Sequence, residues 1–162
     1  MAVDMFLKID GVPGESIDAA HTAEISLLSW SWGASQSGTT HLGPGSGAGK
    51  VNVQDFSFTK YIDAASHLLL LNCCNGKHIS KATLAVRKAG GDKPVDYVVL
   101  TMEDLIVSSV STGGSGGEDR LTENITLNFG KFKYEYTKQK KDGSADGGPL
   151  PAGWDIQKNE KV

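Results

Sequence analysis

The sequence predicts a mainly β protein: a small curled β-barrel of two packed antiparallel sheets with one flanking α-helix. Twenty glycines are scattered among segments in which apolar and polar residues alternate, a pattern typical of strands joined by many turns. A single segment, 63–75, has the composition of a helix. Two predicted strands change the phase of their apolar face, as strands do where bulges bend a sheet toward a barrel.

The composition limits the class of protein. Its 162 residues fit one domain, 1–162, with a substantial core. The net charge of -3 and the lack of a basic stripe argue against a nucleic-acid partner. No apolar run approaches the roughly 20 residues of a membrane-spanning helix, so we predict no membrane insertion. The N-terminal residues lack a basic region followed by an apolar run, so we predict no cleavable signal peptide.

The first two strands are predicted from alternation. Met5, Leu7 and Ile9 form the apolar face of a short strand that ends at Asp10–Gly11. A second strand, 25–35, is expected to turn one apolar face to the core, formed by Leu28, Trp30, Trp32 and Ala34. Its other face is small and polar, formed by Ser29, Ser31, Gly33 and Ser35. That face fits either close packing against a neighbouring loop or a smooth wall along a channel or partner.

The following segment, 36–50, is predicted to be an extended loop because it has almost no apolar content. Neither nucleotide motif fits it. A phosphate-binding loop would need glycine where Pro44 stands and Ser or Thr where Val51 stands. A dinucleotide fingerprint would need a βαβ unit, whereas a strand follows. The competing hypothesis is that the loop docks on another subunit.

Both phase changes occur in strands rich in aromatic residues. In segment 51–59 the apolar residues move from odd to even positions, which predicts a bulge near Gln54–Asp55. The same change between Phe129 and Phe132 predicts a second bulge at Gly130. Segment 121–129 alternates cleanly except for Glu123 on its apolar face.

The helix is predicted to begin with Asp63 as its cap and to end at Asn75–Gly76. Its apolar block, 68–71, must be covered by the barrel or by a neighbouring subunit. The adjacent Cys73 and Cys74 are poor partners for a disulfide or a metal. We interpret them as small buried apolar residues of a protein made in a reducing cytoplasm.

The remaining segments are turns, strands and a tail. Residues 89–94 have the composition of a hairpin turn. Segment 98–110 has a mixed phase that is compatible with a break at Glu103–Asp104. The tail, 138–162, is expected to be partly irregular and to dock as a last strand or a tether.

The residues that carry chemistry in enzymes form no recognisable constellation. No serine lies in a G-x-S-x-G elbow, and His21, His41, His67 and His78 are isolated from one another in the sequence. The acidic pairs Glu103/Asp104 and Glu118/Asp119 adjoin turns, where solvated charges are usual. We therefore predict no catalytic, cofactor or metal site. The alternatives left open are a ligand-binding β-barrel module and a hydrolase with an unrecognised Ser–His pair.

Several motifs together resemble a known family. They are Ser29–Gly33, Gly47–Asp63, Gly76–His78, Arg87–Gly91, Val107–Asn124 and Gly153–Ile156. In these segments, which span nearly the whole chain, the sequence resembles the haemolysin-coregulated protein (Hcp) family of bacterial type VI secretion systems.

The resemblance implies a structural subunit and not an enzyme. Six copies would form a ring, and rings would stack into a tube inside a contractile sheath with its spike. The subunit would be made in the bacterial cytoplasm, would be secreted outside the cell or into a target cell, and could carry small effector proteins in the ring lumen. Family members with toxic enzyme activity carry an extra C-terminal domain. Because this chain stops at Val162, the resemblance argues against activity.

Two sets of residues are predicted to serve these contacts. The lumen face is predicted to include Ser29, Ser31, Gly33 and Ser35. Ring stacking or subunit contact is predicted for Gly43, Gly45, Gly47, Lys50, Gly90, Gly91 and Gln157.

Overall fold

The computed structural model describes residues 3–44, 47, 49–88 and 92–162. In this part of the chain it contains eleven strands, one α-helix and one 3-10 turn, Thr40–Leu42. The strands are β1 Val3–Ile9, β2 Ile25–Ser26, β3 Ser29–Ser31, β4 Ala34–Ser35, β5 Asn52–Val53, β6 Phe56–Tyr61, β7 Ile79–Lys88, β8 Asp96–Thr112, β9 Thr122–Tyr136, β10 Leu150–Asp155 and β11 Glu160–Lys161. The helix is α1 Ser66–Asn75. The predicted mainly β class with one helix is confirmed.

Antiparallel pairing organises the strands into two sheets. The larger has nine strands in the order β11-β10-β9-β8-β7-β1-β2, with β6 paired to β9 and β3 paired to β6. The smaller contains only β4 and β5. The long strand β9 pairs with β6 through its first half and with β10 through its second, while β8 follows its other edge. The large sheet is not closed, so the term barrel describes the fold only roughly.

The two shifts of the apolar face, which the sequence analysis attributed to bulges, have other causes in the structure. At Gln54–Asp55 the chain leaves β5 in one sheet and enters β6 in the other, so a strand ends there. At Gly130 the register between β8 and β9 is unshifted, because Glu103 pairs with Lys131 and Leu105 with Phe129. The predicted bulge at Gly130 is therefore wrong.

Strand β8 explains why the register at Gly130 is kept. It changes its own buried face at the same level, between Met102 and Leu105, and Asp104 there has a left-handed φ of 54°. Two strands that change phase together stay in register. Strand β8 runs unbroken through Glu103–Asp104, and its pairing with β9 shifts instead between Val107 and Ser109.

The predicted strand 25–35 is divided into three short strands, and each pairs with a different partner. Strand β2 pairs with β1, β3 with β6, and β4 with β5. Trp30 and Trp32 pack against the core as expected, but Leu28 and Ala34 are exposed. A chain that changes partners every few residues cannot keep one face inward throughout.

The helix begins three residues later than predicted. Asp63 precedes it, and its Oδ1 accepts a hydrogen bond from the Ala65 N–H at 2.9 Å. The predicted end is confirmed, because Gly76 follows with a φ of 62° and its N–H donates to the Asn72 carbonyl. Leu69 is fully buried. Cys74 is exposed and Cys73 only half-buried, so the expected burial of the cysteine pair is wrong.

The core is built from the inward faces of the long strands together with the helix. Its fully buried side chains include Leu7, Ile25, Phe56, Leu69, Leu84, Leu100, Leu105, Ile125 and Leu127. Strands β7 and β8 pair antiparallel as far as Arg87 and Asp96, and residues 89–91 of the predicted turn lie outside the described residues. None of the helices in the described residues has the length and apolar character needed to cross a membrane.

Candidate assembly surfaces

The serines of β3 belong to a larger polar surface. Ser31 pairs with Ser57 of β6, which pairs with Thr126 of β9. Residues paired directly across antiparallel strands share one face of the sheet. Two such rows cross four strands, and we call them the hydroxyl face: Ser29, Ser31, Ser57, Thr59, Asn124, Thr126, Ser109 and Ser111.

Short hydrogen bonds hold the middle of the hydroxyl face. The hydroxyl of Thr59 donates to Asn124 Oδ1 at 2.6 Å, and Ser57 Oγ lies 3.2 Å from Thr126 Oγ1. The members on β3 and β8 are exposed, while Ser57, Thr59 and Thr126 are half-buried. The surface is therefore neutral, made of short side chains, and able to donate and accept many weak hydrogen bonds. Its eight members carry no charge, but charged groups border it at both ends: Asp55 accepts hydrogen bonds from Ser108 and Asn128, and the Arg120 guanidinium lies over the Tyr61 ring.

The structure brings together two of the four residues predicted for the lumen. Ser29 and Ser31 lie on the hydroxyl face. The Gly33 carbonyl accepts a hydrogen bond from the Gln54 N–H at 2.8 Å, and Ser35 pairs with Asn52 in the smaller sheet. The members on β6, β8 and β9 were not predicted as site residues. Alternation predicts which way each of them points, but only the strand pairing places them beside Ser29 and Ser31.

Beneath this face lies a buried ionic network. Lys60 is fully buried, and its Nζ lies 2.5 Å from Glu123 Oε1 and 2.7 Å from Asp63 Oδ1. It also donates to the Tyr61 carbonyl and to Ser66 Oγ, each at 3.1 Å. The Ser66 hydroxyl in turn donates to Glu123 Oε1 at 2.6 Å. The network joins β6, β9 and the first residue of α1, and it explains why a carboxylate occupies the apolar face of β9.

The residues predicted for stacking are only partly within the described residues. Gly43 has a φ of 101°, and the Gly47 carbonyl accepts a hydrogen bond from the Thr39 hydroxyl at 2.8 Å. Lys50 is exposed near the end of the same loop. Gln157 lies against Gly130, where an added Cβ would come within 3.0 Å of its Nε2. Gly45, Gly90 and Gly91 lie outside the described residues.

One histidine is less isolated than its sequence position indicates. His21 is buried, its ring stacks on Phe6 at 4.4 Å, and its two nitrogens face Glu24 and Asp96. Within residues 3–44, 47, 49–88 and 92–162, no three His, Cys, Asp or Glu side chains are grouped to hold a metal ion.

Comparison with known proteins shows which family has this sequence and fold. The family model described as "Type VI secretion system effector, Hcp" matches residues 6–136. The chain is 59% identical to the protein hcp1 of Pseudomonas aeruginosa over 159 residues, which are 98% of this chain and 98% of that protein. The chain belongs to the Hcp family.

Solved structures share this fold over all or nearly all of the chain. The crystal structure of Hcp1 from Salmonella typhimurium is 44% identical, covers 100% of both chains and gives a TM-score of 0.83. A type VI secretion system effector from Yersinia pestis is 38% identical, covers 94% of this chain and 99% of its own, and gives 0.76. The family model ends at Tyr136, so the match of the tail to Hcp proteins rests on these longer alignments.

Proposed function

We propose that this Hcp protein is the structural subunit of a type VI secretion inner tube. Six copies form a ring, rings stack within the sheath and beneath the spike, and the subunit is itself secreted. Small effectors travel in the ring lumen. The role is mechanical, and no reaction is assigned to the chain. The observation that carries the proposal is the hydroxyl face, which crosses four strands, has uncharged members and is exposed on β3 and β8.

The chemistry of the hydroxyl face suits the wall of a channel. A passing protein meets short hydroxyl groups that exchange hydrogen bonds with water at little net cost. The eight members themselves include no charged and no large apolar side chain that would hold the passing protein in place. We therefore assign the lumen to the whole hydroxyl face, which includes Ser29 and Ser31, while the lumen role of Gly33 and Ser35 stays a prediction.

Assembly is the first test. Native mass spectrometry and electron microscopy of the purified protein should give hexamers and rings with a central hole. A protein that stays monomeric over a wide range of concentration would contradict the proposal and would favour the ligand-binding module.

The lumen assignment is tested by Ser31→Lys. A long cation on the hydroxyl face should leave the hexamer intact and lower the amount of effector that co-purifies with it. The control is Ser115→Lys, which places the same cation on an exposed turn residue outside this face. Equal effector recovery with both variants would remove Ser31 from the lumen.

Stacking is tested by deleting residues 43–47 of the extended loop. The deletion should preserve single rings in native mass spectrometry and shorten the tubes seen by electron microscopy. Tubes of unchanged length would show that the loop does not join rings.

Secretion is tested by immunoblotting the culture medium of cells with and without the sheath protein. Loss of the sheath should abolish the extracellular protein without lowering its level in the cytoplasm.

A further inference from the structure

A buried histidine joins the loop between β1 and β2, residues 10–24, to the large sheet. His21 is 7% exposed. Its Nδ1 lies 2.5 Å from Glu24 Oε2, and its Nε2 lies 3.2 Å from Oδ1 of Asp96, the first residue of β8. The ring also stacks on Phe6 of β1, with the ring centroids 4.4 Å apart. Three parts of the fold, the loop, β1 and β8, therefore meet on one imidazole ring.

The two nitrogen contacts indicate the charge of the ring. A neutral imidazole has one N–H donor and one bare nitrogen, whereas the doubly protonated ring donates from both nitrogens. An ionised carboxylate can only accept hydrogen bonds. Because Glu24 and Asp96 each place an oxygen against a ring nitrogen, both contacts are favourable only for the imidazolium. A positive ring is also attracted to the face of Phe6.

The charges packed around His21 agree with a cation at this position. Asp18, in the same loop, accepts hydrogen bonds from both terminal nitrogens of Arg87 on β7. Arg87 Nε lies 3.5 Å from Asp4 Oδ2 on β1, and the guanidinium lies over the Phe6 ring at 5.1 Å. The hydrogen bonds from Arg87 are the largest cause of the lowered pKa of Asp18, and the charge of His21 is a smaller one. Four carboxylates thus share two basic side chains, Arg87 and His21.

From this geometry we propose that His21 is a pH-sensitive latch of the β1–β2 loop. With two protons the ring bridges Glu24 and Asp96 and holds the loop against β8. Histidine side chains commonly change charge between pH 5 and 8. The proton that passes to water leaves from Nε2, because the contact of Nδ1 with Glu24 is shorter and more buried. The bare nitrogen then faces the Asp96 carboxylate, and the segment around His21 separates from β8.

The opening is local to the second half of the loop. Asp18 and Arg87 keep their charges over this pH range, so the middle of the loop stays attached to β7. Movement of segment 19–24 uncovers the ring of Phe6, which is 6% exposed while the loop is closed. The inference concerns contacts within one subunit and does not depend on the proposed tube.

Hydrogen exchange followed by mass spectrometry tests the latch in the assembled protein. In the closed loop the Ala23 N–H donates to the Ser16 carbonyl at 2.7 Å, so its exchange reports opening. After correction for the pH dependence of chemical exchange, peptides covering 19–24 should exchange about tenfold faster at pH 9 than at pH 6, because a hydrogen bond to a charged group is lost. Peptides from β9 should not change. Equal corrected rates at the two pH values would overturn the latch.

Asp96→Asn separates the effect of the proton from that of packing. An asparagine amide can accept a hydrogen bond from the protonated ring or donate one to the bare nitrogen. The variant should therefore keep 19–24 protected at both pH values, whereas release at pH 9 as in the parent protein would contradict the role of Nε2. His21→Phe keeps an aromatic ring against Phe6 without the nitrogens and should exchange rapidly at both. The matched control is His67→Gln, an exposed position on the helix, which should behave like the parent.

The charge of the ring can also be observed directly by nuclear magnetic resonance of protein labelled with nitrogen-15 histidine. The two ring nitrogens of an imidazolium resonate close together, and those of a neutral ring are well separated. His21, assigned by the loss of its signals in His21→Phe, should show the imidazolium pattern over the whole pH range in which 19–24 is protected. A neutral His21 ring in protein whose loop is still protected would overturn the proposal.

Discussion

The outward and inward faces of strands β6 and β9 differ in polarity and burial. Outward, Ser57, Thr59 and Thr126 form weak hydrogen bonds on the hydroxyl face. Inward, the alternate residues of the same strands are the apolar Phe56, Phe58, Ile125 and Leu127 together with the buried pair Lys60 and Glu123. One pair of strands thus contributes both to the core and to the surface that we propose lines the lumen.

The difference between the faces follows from access to water. A buried charge is costly unless its partners are complete, and the Lys60 ammonium has four of them. A hydroxyl on the outer face can exchange a lost partner for water. Inward substitutions should therefore change the free energy of unfolding, and outward ones should mainly change contacts between molecules.

The largest effect is expected from Lys60→Met. It leaves Glu123 and Asp63 without their cation, and removing one partner of a buried ion pair costs about 3–5 kcal/mol of unfolding free energy. Urea unfolding followed by circular dichroism measures the loss. The control is Thr59→Ser, one residue earlier on the outward face, which should unfold like the parent protein.

A double variant separates the charge from the packing. Lys60→Met combined with Glu123→Leu should recover part of the loss, because apolar residues replace both ends of the pair. If the double variant is as unstable as the sum of its single changes, the two side chains are not coupled as their 2.5 Å separation indicates.

The next largest effect is expected from Leu127→Ala on the inward face of β9. Leu127 is fully buried, and truncating such a leucine costs about 2–5 kcal/mol through lost apolar burial and the cavity left behind. Thr126→Ala, the neighbour on the outward face, should cost less than about 1.5 kcal/mol. Equal losses in urea unfolding would mean that the two faces do not divide as proposed.

Alternation along single strands predicted much of this division. It placed Phe56 and Phe58 on one face, set the threonines of 121–129 on the other, and marked Glu123 as an exception. The partner of Glu123 could not be predicted. Glu123 and Lys60 are 63 residues apart in the sequence, and only the register between β6 and β9 brings them together. Register depends on the whole sheet and not on local pattern.

The same limit applied to the candidate surfaces. Ser29 and Ser31 could be selected from the sequence because they stand in one short polar alternation, yet the six other members of the hydroxyl face come from three strands. The ion pair between Asp18 and Arg87 could not be predicted either, because the two residues are 69 residues apart. Charge pairs that join distant segments leave no periodic signal in a single sequence.

A third prediction concerns an ion pair nearer to water than Lys60. The hydrogen bonds from Arg87 are the largest cause of a pKa of Asp18 below its ordinary value, with burial acting in the opposite direction. A carboxyl with a depressed folded pKa stabilises the fold above its unfolded pKa of about 4, and the contribution is lost as pH falls through the folded value.

Asp18→Asn should therefore lower the Tm near pH 7 and have a progressively smaller effect below about pH 4, where the parent also loses the charge. Calorimetry between pH 2 and pH 7 gives the comparison, with Asp119→Asn in an exposed turn as the control. A difference in Tm that stays constant down to pH 2 would assign the effect of the substitution to packing instead of charge.

The smallest effect is expected from Thr59→Val. The substitution keeps the β-branched shape and removes the hydroxyl that donates a hydrogen bond to Asn124 Oδ1. A neutral hydrogen bond contributes about 0.5–1.5 kcal/mol, and the exposed Asn124 can bind water in place of Thr59. The expected loss in urea unfolding is at the low end of that range, while the neutral surface becomes locally apolar. A loss comparable to that of Leu127→Ala would mean that the hydroxyl face holds the sheet together, and its short polar side chains would then need no channel to explain them.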